Sequence, residues 1–236
     1  MAGLRLQCSL LVVFLLSSLS SAHIYLTYPG WRGNNLLLGN GTAEQTDGLI
    51  MQNNIFPYGM QWEYPCGGLG TSTNRTKWPV QGGAVAFQPG WFSGHLLSTL
   101  YINLGIGTMP PNMSLSMISN IGINGPSNEP YPGLEICFPQ VPLPAGYTPN
   151  IGDNATIQVI MLAQHGASLY SCVDITFADP ADVVQVSRDN CKNDTGISFQ
   201  TVYQTSALVG AAPSISAGVY AWMAPLVVAF ATVLLL

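Results

Sequence analysis

Between His23 and Ser206 no segment sustains a helical period with caps. The apolar positions instead gather in short runs rich in Val, Ile, Leu, Phe, Tyr and Thr. Leu97 to Leu104, Thr156 to Leu162 and Leu169 to Phe177 are the clearest, and turn residues separate them. Strands at this density, with Gly and Pro between them, predict an all-β fold, a two-sheet antiparallel sandwich with long loops. The stretch from Gly30 to Gly70 is less regular and rich in Asn, Gly and aromatic residues, the composition of loops that carry function on a rigid frame.

The two ends are patterned differently. Arg5, an apolar run from Leu10 to Leu16 and the small residues Ser17 to Ala22 make the three parts of a cleaved secretory signal, so residues 1–22 are expected to be removed and the mature chain to begin at His23. Val219 to Leu236 is apolar and uncharged to the last residue. Its 18 residues are barely enough for a spanning helix, which is the competing reading, and no Lys or Arg follows it as a cytoplasmic anchor. Preceded by the small-residue stretch Ser206 to Ser214, it reads as a glycosylphosphatidylinositol attachment signal, with Ser206, Gly210 and Ser214 as candidate attachment residues. The expected organisation is a signal over 1–22, one sandwich domain over 23–203, a short stalk with the attachment region over 204–218, and a removed tail over 219–236. No internal repeat argues for a second domain.

Composition narrows the function classes. Charged residues make up 7% of the chain against 48% hydrophobic, and the formal charge is -5. That acidic balance, with no cluster of Lys and Arg, excludes a nucleic-acid footprint. Of five cysteines, Cys8 lies in the signal. The other four, Cys66, Cys137, Cys172 and Cys191, lack the CxxC spacing of a zinc site and read as two disulfides whose pairing the sequence leaves open. Sequons at Asn40, Asn74, Asn112, Asn154 and Asn193 fit an exported glycoprotein and are expected on exposed loops.

The predicted cleavage makes His23 the residue of greatest interest. An amino-terminal histidine offers a free α-amine and an imidazole Nδ1 that can close a chelate ring on one metal ion, and a second imidazole completes three nitrogens in a plane. A square-planar or tetragonal nitrogen set selects Cu(II), which heads the affinity order of the divalent first-row ions. Only two other histidines exist. His95 ends a Gly/Pro-flanked turn, Pro89 to His95, just before the strand expected from Leu97. His165 lies in the turn ahead of the strand carrying Tyr170, Cys172 and Asp174, placed to bind the metal or to orient a group that does.

The signal ending at an N-terminal His, Tyr28-Pro29, Pro65-Cys66-Gly67-Gly68, Asn74-Arg75-Thr76, Gly82-Gly83, a His preceding a strand, and the run Tyr170 to Phe177 together resemble the fungal copper-acquisition-factor-like proteins. These are similar to lytic polysaccharide monooxygenases in fold and copper site but are not regarded as polysaccharide oxidases. The resemblance implies an immunoglobulin-like or fibronectin-like sandwich that holds one Cu(II) ion in a brace of His23 and His95. It adds a nearby carboxylate, for which Asp174 is the first choice and Asp153 and Asp47 the reserves. It implies the disulfides Cys66–Cys172 and Cys137–Cys191. His165 and Tyr170 stand behind the ligands, and Tyr170 keeps an oxidase reading open.

The function expected is therefore a monomeric Cu(II)-binding protein, lipid-anchored on the outer face of the plasma membrane or lodged in the cell wall, acting in copper acquisition or homeostasis beside a membrane copper transporter. No catalytic residue is assigned. The alternative is a copper monooxygenase on cell-wall polysaccharide, using Tyr25, Trp31, Trp62 and Trp91 as a substrate platform. A wall-organising adhesion module with incidental copper binding is a third reading.

Overall fold

The computed structural model describes residues 24–33, 50–51, 54–55, 61–89, 97–125 and 135–201. Eleven strands occur among them: β1 (Tyr25–Tyr28), β2 (Ile50–Met51), β3 (Asn54–Ile55), β4 (Thr76–Pro79), β5 (Gly83–Gln88), β6 (Leu97–Ile106), β7 (Leu115–Asn124), β8 (Ile136–Val141), β9 (Asn154–Ala163), β10 (Ser168–Ala178) and β11 (Ser198–Thr201). The three runs singled out in the sequence are β6, β9 and β10. No α-helix occurs among the described residues, only a 3-10 turn at Pro180–Asp182.

Period-two burial builds the sandwich. Along β6, Leu100, Ile102 and Leu104 are fully buried while Thr99, Tyr101 and Asn103 are half-exposed. Six strands form one layer in the order β11-β7-β6-β9-β10-β4, three form the other in the order β1-β5-β8, and β2 and β3 pair as a separate two-stranded ribbon. Ile24, Leu26, Val85, Phe87, Ile136 and Val141 from the smaller sheet meet Leu100, Ile157, Val159, Val173 and Phe177 from the larger in one apolar core. Trp78 is completely buried there, its Nε1 donating to Ala84 O at 3.0 Å. One pairing departs from the antiparallel expectation: β4 lies parallel to β10, Thr76 opposite Ile175 and Pro79 opposite Ala178.

β4 covers only the second half of the β10 edge. Loops close the first half, Arg32 N donating to Cys172 O at 2.9 Å and Tyr170 N to Gln61 O at 2.6 Å. An exposed edge would otherwise leave these backbone groups unpaired. The Cys66–Cys172 disulfide fastens the loop that contains Gln61 to β10, and Cys137–Cys191 ties β8 to the segment ahead of β11. Both pairings are those the family resemblance implies.

Of the sequons, Asn74, Asn112 and Asn193 are exposed. Asn154 departs from the loop expectation. It opens β9 and is half-buried, its Nδ2 donating to Thr108 Oγ1 at 3.0 Å and its Oδ1 accepting from Thr176 at 2.7 Å. Asn40 lies outside the described residues, as do Ser206, Gly210, Ser214 and the tail from 219 to 236.

Candidate metal centre

His23 and His95 lie outside the described residues, so the site is built from what flanks them. Ile24, the residue after His23, is fully buried and sits in the core. Both backbone groups of Ile24 are held by one side chain. Its N–H donates to Gln61 Oε1 at 2.6 Å, and Gln61 Nε2 donates back to its C=O at 2.5 Å. Gln61 is itself 1% exposed.

The strand register brings the flanks of the other two histidines to the same end of the sandwich. Tyr25 pairs with Gln88, so the 89–96 connection containing His95 leaves β5 opposite the residue that follows Ile24. It returns at Leu97 to begin β6. Ser98 of β6 pairs with Ala163 of β9, and the turn from Gln164 to Gly166 then carries the exposed His165 before β10 begins. That turn is closed by Gly166 N donating to Ala163 O at 2.8 Å and Ala163 N to Ala167 O at 2.9 Å. Tyr170, two residues into β10, takes an edge-to-face contact from Tyr64 with ring centroids 5.4 Å apart.

The aromatic residues at this end divide into two kinds. Tyr25 and Trp31 pack edge-to-face at 4.6 Å, and Trp31 Nε1 donates to Ser171 Oγ at 2.9 Å, so this pair is part of the frame. Trp62 and Tyr64 alternate with the buried Gln61 and the half-buried Glu63 and stand 54% and 55% exposed. Trp91 lies outside the described residues.

Asp174 is placed differently from a metal ligand with an open coordination position. Its side chain is fully buried, and Arg32 grips it as a fork, Nε to Oδ2 and Nη2 to Oδ1, both at 2.8 Å. Ser72 N adds a third bond to Oδ2 at 2.8 Å and Thr156 Oγ1 a fourth to Oδ1 at 2.6 Å. An ionised carboxylate has about four lone-pair sites, and all of them are filled by protein donors. Copper ligation by Asp174 would require breaking a buried bidentate ion pair, and the Arg32 charge cancels the one Asp174 would lend to the metal. Asp153 serves its own turn, Oδ2 accepting from Asn150 N at 2.8 Å. Asp47 lies outside the described residues. Among the described residues no three His, Cys, Asp or Glu side chains gather as a metal-binding cluster.

Sequence reasoning overlooked Arg32, Ser72, Thr156 and Gln61. In a chain with only six Lys and Arg, an arginine beside a glycine-rich loop could have been suspected of pairing with a core aspartate. Nothing local singles out Gln61, because its partner is a backbone peptide 37 residues away.

Residues 21–196 match a family model described as "Copper acquisition factor BIM1-like". The chain therefore belongs to the BIM1-like copper acquisition factor family. It is 57% identical over 210 residues to an Aspergillus fumigatus protein named lytic polysaccharide monooxygenase-like protein X325, covering 87% of each chain. It is 60% identical over 199 residues to a lytic polysaccharide monooxygenase-like protein of Emericella nidulans, covering 82% of this chain and 81% of the relative. A Neurospora crassa relative named lytic polysaccharide monooxygenase-like protein ham-7 is 50% identical over 207 residues, covering 85% and 84%. No solved structure matches.

Proposed function

We propose that this chain is an extracellular, cell-surface protein that binds one Cu(II) ion through His23 and His95 and serves copper acquisition or homeostasis, passing copper as cargo to a membrane transporter. His23 supplies its α-amine and Nδ1, His95 the third nitrogen, a donor set suited to Cu(II). Membership of a copper-acquisition family supports the copper-related function. The observation that carries the brace is the strand register. Ile24 continues directly from His23, and Gln88, opposite Tyr25, leads directly into the connection that contains His95. On this reading Asp174 holds Arg32 in place and is not a ligand. His165 and Tyr170 stand at the same end as groups that orient or screen the site.

The test is electron paramagnetic resonance and a copper dissociation constant on protein secreted with its natural N-terminus. An axial Cu(II) signal is expected, and it should disappear when one residue is added ahead of His23 or when His95→Ala is made. A signal that survives the added residue would sink the chelate. The exposed pair Trp62 and Tyr64 favours a second reading, oxidation of a wall polysaccharide, since such side chains can stack on sugar rings. Mass spectrometry of glucan, chitin and xylan incubated with copper-loaded protein, reductant and peroxide separates the two: oxidised oligosaccharides would replace the binding role with catalysis.

A further inference from the structure

We infer that Gln61 is the positioning residue of the amino-terminal chelate: its buried carboxamide orients the His23–Ile24 peptide before any metal arrives and thereby sets copper affinity. This inference rests on the proposed brace and deepens it.

The argument is covalent. The peptide unit joining residues 23 and 24 is planar, so the N–H of Ile24, the carbonyl of residue 23 and both Cα atoms share one plane. Gln61 Oε1 accepts that N–H at 2.6 Å. Its Nε2 donates to the carbonyl on the other side of Ile24 at 2.5 Å, so the peptide groups flanking Ile24 are fixed from both ends. With the plane held, the α-amine and imidazole of His23 have only the rotation about its own Cα–C bond and the side-chain torsions left to settle. A chain terminus is ordinarily the most mobile part of a domain. Here the second residue of the mature chain is fully buried and doubly bonded.

Gln61 can hold this position because it is held in turn. Its carbonyl accepts the Tyr170 N–H at 2.6 Å on the β10 edge. Five residues on, Cys66 is bonded to Cys172 of the same strand. Gln158 Nε2 donates to Pro65 O at 2.7 Å, a further tie from β9. A purely apolar anchor would bury Ile24 without fixing rotation about its backbone. A carboxamide, with an acceptor oxygen and two N–H donors on one planar group, can receive an N–H and return one to the same residue.

Fixing one residue's backbone is worth about 1–2 kcal/mol, which corresponds to roughly tenfold in a dissociation constant. Gln61→Met, close in size and without either bond, should weaken Cu(II) binding about tenfold and broaden the copper hyperfine pattern. Gln61→Glu keeps the acceptor for the Ile24 N–H and should recover part of the affinity. Wild-type affinity and spectrum in folded Gln61→Met would overturn the inference while leaving the brace intact. Undiminished binding in His95→Ala would instead overturn the brace reading itself. Hydrogen exchange of metal-free wild-type protein decides the point should the variants fail to fold. The Ile24 amide must be protected without copper, and an amide that exchanges freely until copper is added would overturn the proposal.

Discussion

At the scale of single residues, the buried Arg32–Asp174 pair shows how differently one side chain reads in sequence and in space. Asp174 lies in a β-strand beside Cys172, with no nearby basic residue in sequence to suggest a partner. Its fork comes from 142 residues away. Removing one member of a buried pair strands the other charge, so Asp174→Asn should cost about 3–5 kcal/mol of stability, read as a fall in the denaturation midpoint. The copper dissociation constant of the protein that remains folded should be unchanged. A specific loss of copper affinity at undiminished stability would return Asp174 to the metal. Gly82 makes a second residue-scale case. It turns the chain at φ +88, and a Cβ there would collide with the carbonyl oxygen of Val141. Both the backbone conformation and the crowding oppose a side chain, so Gly82→Ala should lower the thermal midpoint measured by circular dichroism.

Among the elements, the long antiparallel strands were legible because each carries its own record of burial in alternating side chains. β9 spans Asn154–Ala163 where the apolar run suggested Thr156 to Leu162, and β10 spans Ser168–Ala178 around Leu169 to Phe177. β4 was not legible. It is four residues long, and its parallel pairing with β10 is a long-range choice that alternation does not encode. The loops sealing the rest of the β10 edge were equally hidden, since their bonds are backbone to backbone. Their fastening gives a further prediction. Replacing Cys66 and Cys172 by Ser opens a loop of 106 residues and should cost about 2–5 kcal/mol, measured by denaturant titration. The same double variant should weaken copper binding, because it loosens the loop that carries Gln61.

For the whole molecule, the ends of the chain bear on where it works. If the anchor expected from the carboxyl-terminal sequence is present, a phosphatidylinositol-specific phospholipase should release the protein from intact cells in a copper-binding form, scored by immunoblot of the supernatant. Retention on the membrane after treatment would argue for a spanning tail. The sequence alone determined the all-β class, because that rests on local periodicity and turn residues; the compartment signals and the three histidines it offered as expectations from composition and short motifs. The family resemblance supplied the disulfide pairing. Tertiary structure alone decided that Gln88, at the end of β5, lies opposite Tyr25, that Asp174 is spent on Arg32, and that a glutamine 37 residues away grips both backbone groups of Ile24. Register and long-range hydrogen bonds are set by which sheets pack together, and that choice is made by the folded whole.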